Sequence, residues 1–337
     1  MSYYYELSGA KVSKIILTAK YFSKKNRNFA IAYLLFIYME YPKTNSMTND
    51  ERPSAKRGLV LEGGAFRGLF TAGIIDVMME HDVWPDAMIG VSAGAAFGCN
   101  YKSRQPGRAI RYNKQFARDS RYSGMRSLLT TGDYFNADFG YHVIPRQYDV
   151  FDDKAFNENP MAFYAVCTDV ETGQPVYKLL DKVTETTYDW IRASASMPLL
   201  SRIVELEGYK LLDGGVADSI PLAWFERQGY RHNVVILTQP QDYRKSHNAL
   251  MPLMRLFLRK YPFMLEALDQ RHLMYNAQLD YVSEAEHAGR CLVIRPDKPL
   301  PIGHVSHNAA EMQRVYDIGR EMGEREIKNI KQFYNIP

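Results

Sequence analysis

Apolar and polar positions follow two alternating rhythms from residue 57 onward, and the switches between them mark out the elements. "RGLVLE" (57–62) is a short apolar run beside glycine, the pattern of a strand buried on both faces. A helical period follows over 67–81, where Leu69, Phe70, Ile74, Val77 and Met78 recur on one side. "WPDAMIGV" (84–91) predicts a second strand, and "SAGAAFGCNYKS" opens a second helix. Strand–helix–strand–helix at this spacing implies parallel strands with right-handed crossovers. Further strands are predicted at 161–168, 174–180, 201–206 and 233–238, with a helix over about 186–196 and another after Pro221. Beyond 246 the pattern is mainly helical (250–259, 263–285 and 307–334), broken by one strand-like run at 291–296. No internal repeat or low-complexity tract interrupts the chain. The expected architecture is α/β, a three-layer α/β/α sandwich on a mostly parallel sheet. Residues 1–56 would be an N-terminal extension, 57–245 the main domain, and 246–337 a helical region packed on it.

Charge changes this picture at one end only. The chain of 337 residues has a formal net charge of +4, but residues 1–46 hold seven Lys/Arg against two Asp/Glu. The remainder carries 35 basic and 36 acidic residues, so a nucleic-acid partner has little support. Within that leader, a basic cluster precedes a 13-residue apolar run from Phe29 to Tyr41. A membrane span needs about 20 residues, and no small-residue cleavage site follows. The expectation is a dispensable or mispredicted extension, with a weak membrane anchor as the alternative. Cys99, Cys167 and Cys291 are widely spaced, which fits a reducing compartment and argues against a disulfide framework.

Candidate chemistry begins at Gly90-Val91-Ser92-Ala93-Gly94, set between a predicted strand and a helix. In that context G-x-S-x-G reads as a nucleophile elbow, where only small neighbours tolerate the sharp turn that projects the serine. The alternative is a small-residue packing turn. None of the eight histidines sits just past a strand in a small-residue context, so the usual base is missing. "YKLLDGG" (209–215) offers Asp213 after a strand-like approach, with Gly214 and Gly215 removing side-chain bulk beside it. Alone, this would be an ordinary Asp-Gly turn. The third element is "LEGGAFRG" (61–68), a bare backbone stretch with an arginine in its midst.

Taken in order, "LEGGAFRG", "GVSAGA" and "LLDGG" resemble the motifs of the patatin-like phospholipases. "RASASMPLL" (192–200) is similar to that family's small-residue block, and the helical tail resembles the C-terminal extension of one bacterial branch. The resemblance covers roughly 57–240. It implies a serine acyl-hydrolase that cleaves lipid or fatty-acyl esters through a Ser-Asp dyad, with no cofactor and no metal. The family nucleophile falls on Ser92 and the dyad aspartate on Asp213. Gly63, Gly64 and Ala65 match the glycine-rich block and would supply oxyanion-hole N–H groups. Arg67, Gly68, Gly90, Gly94, Gly214 and Gly215 would support them, with Arg67 bracing the loop or neutralising charge. The family block usually has glycine where Ala65 stands. A Cβ at positive φ costs roughly 1 kcal/mol or more, so Ala65 is expected at negative φ. The alternative function is a low-turnover patatin-fold protein that binds lipid or a partner. A cytoplasmic, membrane-peripheral location follows from the same reading.

Two other stretches suggest surfaces. Eight Lys/Arg between Lys102 and Arg126, with Asp119 the one acid among them, predict a basic helix face. That face would be solvated, or would dock on anionic headgroups. Tyr and Phe residues over 122–141 are expected in the core or as an apolar lip over the site. "LMPLMRLFLRKYPFMLEAL" (250–268) is expected in the core, with a lid or interfacial surface as the alternative.

Overall fold

Leu59, Val60 and Leu61 have no exposed surface, because strand β1 (Lys56–Leu61) is covered on both faces. The computed structural model describes residues 56–336; the basic leader and its apolar run at 29–41 lie outside the described residues. The other strands are β2 (Ala87–Val91), β3 (Ala162–Asp169), β4 (Pro175–Leu179), β5 (Val204–Leu206), β6 (Tyr209–Asp213), β7 (Tyr230–Ile236) and β8 (Cys291–Ile294). All eight belong to one sheet, along the hydrogen-bonded path β5-β6-β3-β2-β1-β7-β8 with β4 on β3. Pairs β1–β2, β1–β7, β2–β3 and β7–β8 are parallel, whereas β4, β5 and β6 add antiparallel pairs at one end.

Helix α1 (Gly68–Glu80) joins β1 to β2, and α2 (Ala93–Lys102) leaves β2. Three short helices, α3 (Arg108–Gln115), α4 (Met125–Thr131) and α5 (Asp153–Glu158), lie before β3, together with a π-helix at Phe139–Tyr148. Then come α6 (Thr187–Ser194) and α7 (Leu222–Arg227), and finally α8 (Met251–Phe257), α9 (Pro262–His287) and α10 (Ala309–Phe333). Odd residues of β1 (Leu59, Leu61) join a core with α1, α2, α6 and α10, whereas Val60 joins one with α7 and α9. Helices thus cover both faces of a mostly parallel sheet, giving the three-layer sandwich.

The long C-terminal helix docks by backbone contact. A Cβ at Gly319 would lie 2.1 Å from the Phe70 carbonyl oxygen, and one at Gly73 would lie 2.3 Å from that of Tyr316. Close crossing of α1 and α10 therefore requires glycine on both helices. Beside it the Tyr316 hydroxyl donates to the buried Asp76 at 2.6 Å.

The predicted basic helix face does not form. Lys102 ends α2 and is buried, its Nζ donating to the carbonyls of Asn159 (2.8 Å) and Met161 (2.5 Å). Arg108 is also buried and donates to Asn100 Oδ1 and the Asp149 carbonyl. Gly107, at φ 73°, separates these two residues onto different helices, and Asp119 binds Arg121 at 2.7 Å. These cations hold loops together instead of forming one face.

Candidate active site

Strand register brings the two motifs together. On β3, the last residue of β2, Val91, pairs with Val166, and the last residue of β6, Asp213, pairs with Cys167. β4 occupies the opposite edge of β3 through both positions, so β2 and β6 meet end to end along one edge. Ser92 follows Val91, and its Oγ donates to Asp213 Oδ2 at 2.6 Å. Ser92 is 7% exposed and Asp213 5%.

Ser92 sits at φ 55°, ψ −120°, a strained backbone at the head of α2. The strain persists because the surroundings fix it. A Cβ at Gly94 would lie 2.4 Å from the Leu61 carbonyl oxygen, and the Ser92 N–H donates to Ser194 Oγ at 2.9 Å. Ser194 in turn donates to the Val166 carbonyl at 2.6 Å, tying α6 to both β2 and β3. Asp213 is held as firmly: Oδ1 accepts from the Gly215 N–H at 2.8 Å, and its carbonyl accepts from Thr168 Oγ1 at 2.8 Å. Burial pushes the Asp213 carboxyl above the usual carboxylate range, opposed by the charge of Arg271 and the Ser92 hydrogen bond.

The glycine-rich stretch lies against this pair. A Cβ at Gly63 would approach Ser92 Cβ to 2.8 Å, and Ala65 and Phe66 line the same pocket as Ser92. Among the described residues, the N–H groups of Gly63, Gly64 and Ala65 have no acceptor. Ala65 contradicts the expectation of negative φ: it sits at φ 50°. Residues 65–67 form a single 3-10 turn whose first residue is left-handed, directly after Gly64 at φ 169°, ψ 18°. The fold holds this conformation despite the Cβ penalty. Gly68 begins α1 against Ala93, and Gly90 and Gly214 pack directly on backbone.

Below the stretch, Glu62 is a buried carboxylate that the motif reading assigned no task beyond ending the strand. It accepts from the Thr238 N–H (2.6 Å) and the Tyr275 hydroxyl (2.5 Å), while Thr238 Oγ1 donates to the Gly63 carbonyl at 3.0 Å. Burial raises its pKa. An acid closing an otherwise apolar strand was the available signal. Arg67 Nη1 lies 3.2 Å from His304 Nε2, and among the described residues no histidine hydrogen-bonds Ser92.

From Ser92 an apolar pocket leads inward between Phe97, Tyr112, Phe135, Ile144, Phe151 and Ile191. The aromatics of 122–141 divide between roles: Tyr122, Phe135 and Tyr141 line this pocket, and Phe139 is buried beside Phe116. Residues 250–268 likewise divide. Met251, Met254, Leu258, Met264 and Leu268 are core, whereas Leu250, Leu253, Leu256, Phe257 and Phe263 are exposed. Among the described residues, no helix is long and apolar enough to cross a membrane.

Comparison of the sequence with known proteins matches the chain to a family. A family model described as patatin-like phospholipase matches residues 59–224, and one described as a domain of unknown function matches 261–335. The uncharacterized protein YjjU of Escherichia coli (strain K12) is 30% identical over 274 residues, covering 79% of this chain and 75% of that protein. Lysophospholipase nte1 of Aspergillus fumigatus is 26% identical over 308 residues, or 83% of this chain, which spans only 19% of that longer protein. VipD from Legionella pneumophila is a structural match at TM-score 0.42 and 12% identity, over 84% of this chain and 69% of that one.

Proposed function

Since the chain belongs to the patatin-like phospholipase family, we propose that it is a serine hydrolase acting on lipid esters and that Ser92 and Asp213 form its catalytic dyad. Asp213 takes the Ser92 proton as Oγ attacks the ester carbonyl, and the N–H groups of Gly63, Gly64 and Ala65 receive the oxyanion. Collapse of the tetrahedral intermediate returns the proton to the departing alcohol and leaves an acyl-serine. Water, deprotonated by Asp213, then attacks that ester and releases the fatty acid and free Ser92. The observation that carries this reading is the buried 2.6 Å contact between Ser92 Oγ and Asp213 Oδ2 at a strained turn. N–H groups without an acceptor in the stretch that abuts Ser92, and a pocket beside it lined by several aromatic and aliphatic side chains, support it. The lysophospholipase names of the fungal relatives favour a phospholipase A type activity on single-chain lipids. Ser92→Ala and Asp213→Asn should each lower hydrolysis of p-nitrophenyl acyl esters by at least about a thousandfold. Full activity in either variant contradicts the dyad.

A low-turnover lipid-binding role is favoured by one observation, the positive φ of Ala65. Purified protein that sediments with vesicles yet cleaves no ester would select it.

We also propose that the protein meets an anionic lipid surface from the cytoplasm through α4 and α8. Leu128 of α4 and Leu253 and Phe257 of α8 line one hollow, which shares Ser201 with the acyl pocket, and Met125, Leu129 and Leu256 are exposed on the same two helices. Arg126 and Arg255 on these helices, and Arg259 and Lys260 just after α8, are exposed as well, the composition an anionic headgroup layer attracts. Three buried free thiols, Cys99, Cys167 and Cys291, support the cytoplasmic side.

A further inference from the structure

Outside the acyl pocket, four basic side chains from four separate segments gather near Asp213. Arg67 leaves the glycine-rich turn with Nη1 3.2 Å from His304 Nε2, and its Nε is buried without a partner. Arg271, on α9, lies over the Asp213 turn, its Nε donating to the Gly215 carbonyl at 2.5 Å. Lys245 sits 5.2 Å from the centroid of the Tyr275 ring, and its backbone is clamped to Asn276 by two hydrogen bonds of 2.8 and 3.0 Å. None of the four lines the apolar pocket.

Among the described residues, Arg67, Lys245 and Arg271 form no ion pair. The nearby carboxylates are already engaged: Glu62 by Tyr275 and Thr238, Asp213 by Ser92 and Gly215. Burial, then repulsion from Arg271 and Arg67, holds Lys245 down at about 8. Three cations beside only two carboxylates, both already hydrogen-bonded elsewhere, favour an anion that brings its own oxygens.

We propose that Arg67, Lys245, Arg271 and His304 form the subsite for a phosphate group on the alcohol half of the substrate. This rests on the hydrolase reading above. With the acyl chain in the apolar pocket and the ester carbonyl at Ser92, the alcohol half lies outside that pocket, where these cations gather. A glycerol ester carries its phosphate only a few bonds from the scissile carbonyl, and Arg271 holds the carbonyl of Gly215, two residues from Asp213. Two of the four residues come from the 261–335 region, which gives that segment a role in headgroup selection.

Ser92→Ala protein separates binding from turnover. Calorimetric titration below the micelle concentration should show a short-chain monoacylglycerol phosphate binding about tenfold or more tightly than the neutral monoacylglycerol of equal chain length. Adding Lys245→Ala or Arg271→Gln should each reduce that ratio by about tenfold, with melting curves reporting whether the variants fold. Equal binding of the two lipids, binding of neither, or a preference untouched by both substitutions overturns the subsite. Glycerol phosphate should bind more weakly than the lipid and be displaced by it. If glycerol phosphate or inorganic phosphate binds as tightly and resists displacement, the cations hold a free anion and the headgroup assignment is wrong. Phosphate preference without hydrolysis by wild-type protein would instead remove only the dyad reading.

Discussion

Ala65 shows how one residue can hold a conformation its side chain disfavours. At φ 50° its Cβ works against the backbone by about 1–2 kcal/mol. Glycine would relieve that strain but lose more backbone entropy on folding, by roughly 0.5–1 kcal/mol. Ala65→Gly should therefore leave unfolding free energy unchanged or raise it by up to about 1.5 kcal/mol in urea denaturation. A loss of a kilocalorie or more would show that the methyl group's packing beside Phe66 and Ser92 outweighs its strain. The chain's own letters did not settle this φ. Its value depends on how the 3-10 turn is placed between β1 and α1, a tertiary demand no composition reveals.

At the level of elements, α8 carries apolar residues on both its buried and its exposed face, and this is where sequence pattern is ambiguous. Helical spacing of Leu and Met over 250–268 cannot distinguish a core stripe from an interfacial one, and the helix supplies both. The short run Met251–Phe257 buries Met251 and Met254 and leaves Leu253, Leu256 and Phe257 to solvent. Leu256→Ser with Phe257→Ser should lower cosedimentation with phosphatidylglycerol-containing vesicles several-fold, the loss of two large apolar side chains at a lipid interface. Sedimentation equal to wild type would assign the exposed residues to solvent. The strands and the order of the three motifs were readable because period-2 and period-3.6 patterns and tight glycine turns are local. The basic run at 102–126 misled for the opposite reason: whether an arginine is buried depends on loops that approach it from 149 and 159.

The whole molecule depends on contacts that join distant segments. The Ser92–Asp213 pair spans 121 residues, the α1–α10 crossing brings residue 73 against 319, and the basic subsite gathers 67, 245, 271 and 304. Only the first could be anticipated, through the resemblance of its motifs; the others follow from register and helix docking. Such assembly also buries carboxylates. Asp218 accepts from Tyr177 at 2.6 Å and Gln278 at 2.5 Å, and burial raises its pKa to about 6 from 3.8. A folded-state pKa above the unfolded value contributes stability that is fully present below 3.8 and lost as pH rises through about 6. Between pH 4 and 7.5 the loss is on the order of 3 kcal/mol. Asp218→Asn cannot titrate, so wild type should lose stability relative to it over that interval in paired urea unfolding curves. A gap that does not change with pH would mean that Asp218 titrates in the fold as it does in the unfolded chain.

The central claim is that Ser92, activated by Asp213, is the nucleophile. Fluorophosphonate labelling followed by peptide mapping tests it directly. The account predicts a single adduct on Ser92, absent in Ser92→Ala and strongly slowed in Asp213→Asn. A protein that stays unlabelled, or that is labelled at another serine with Ser92 untouched, would contradict it.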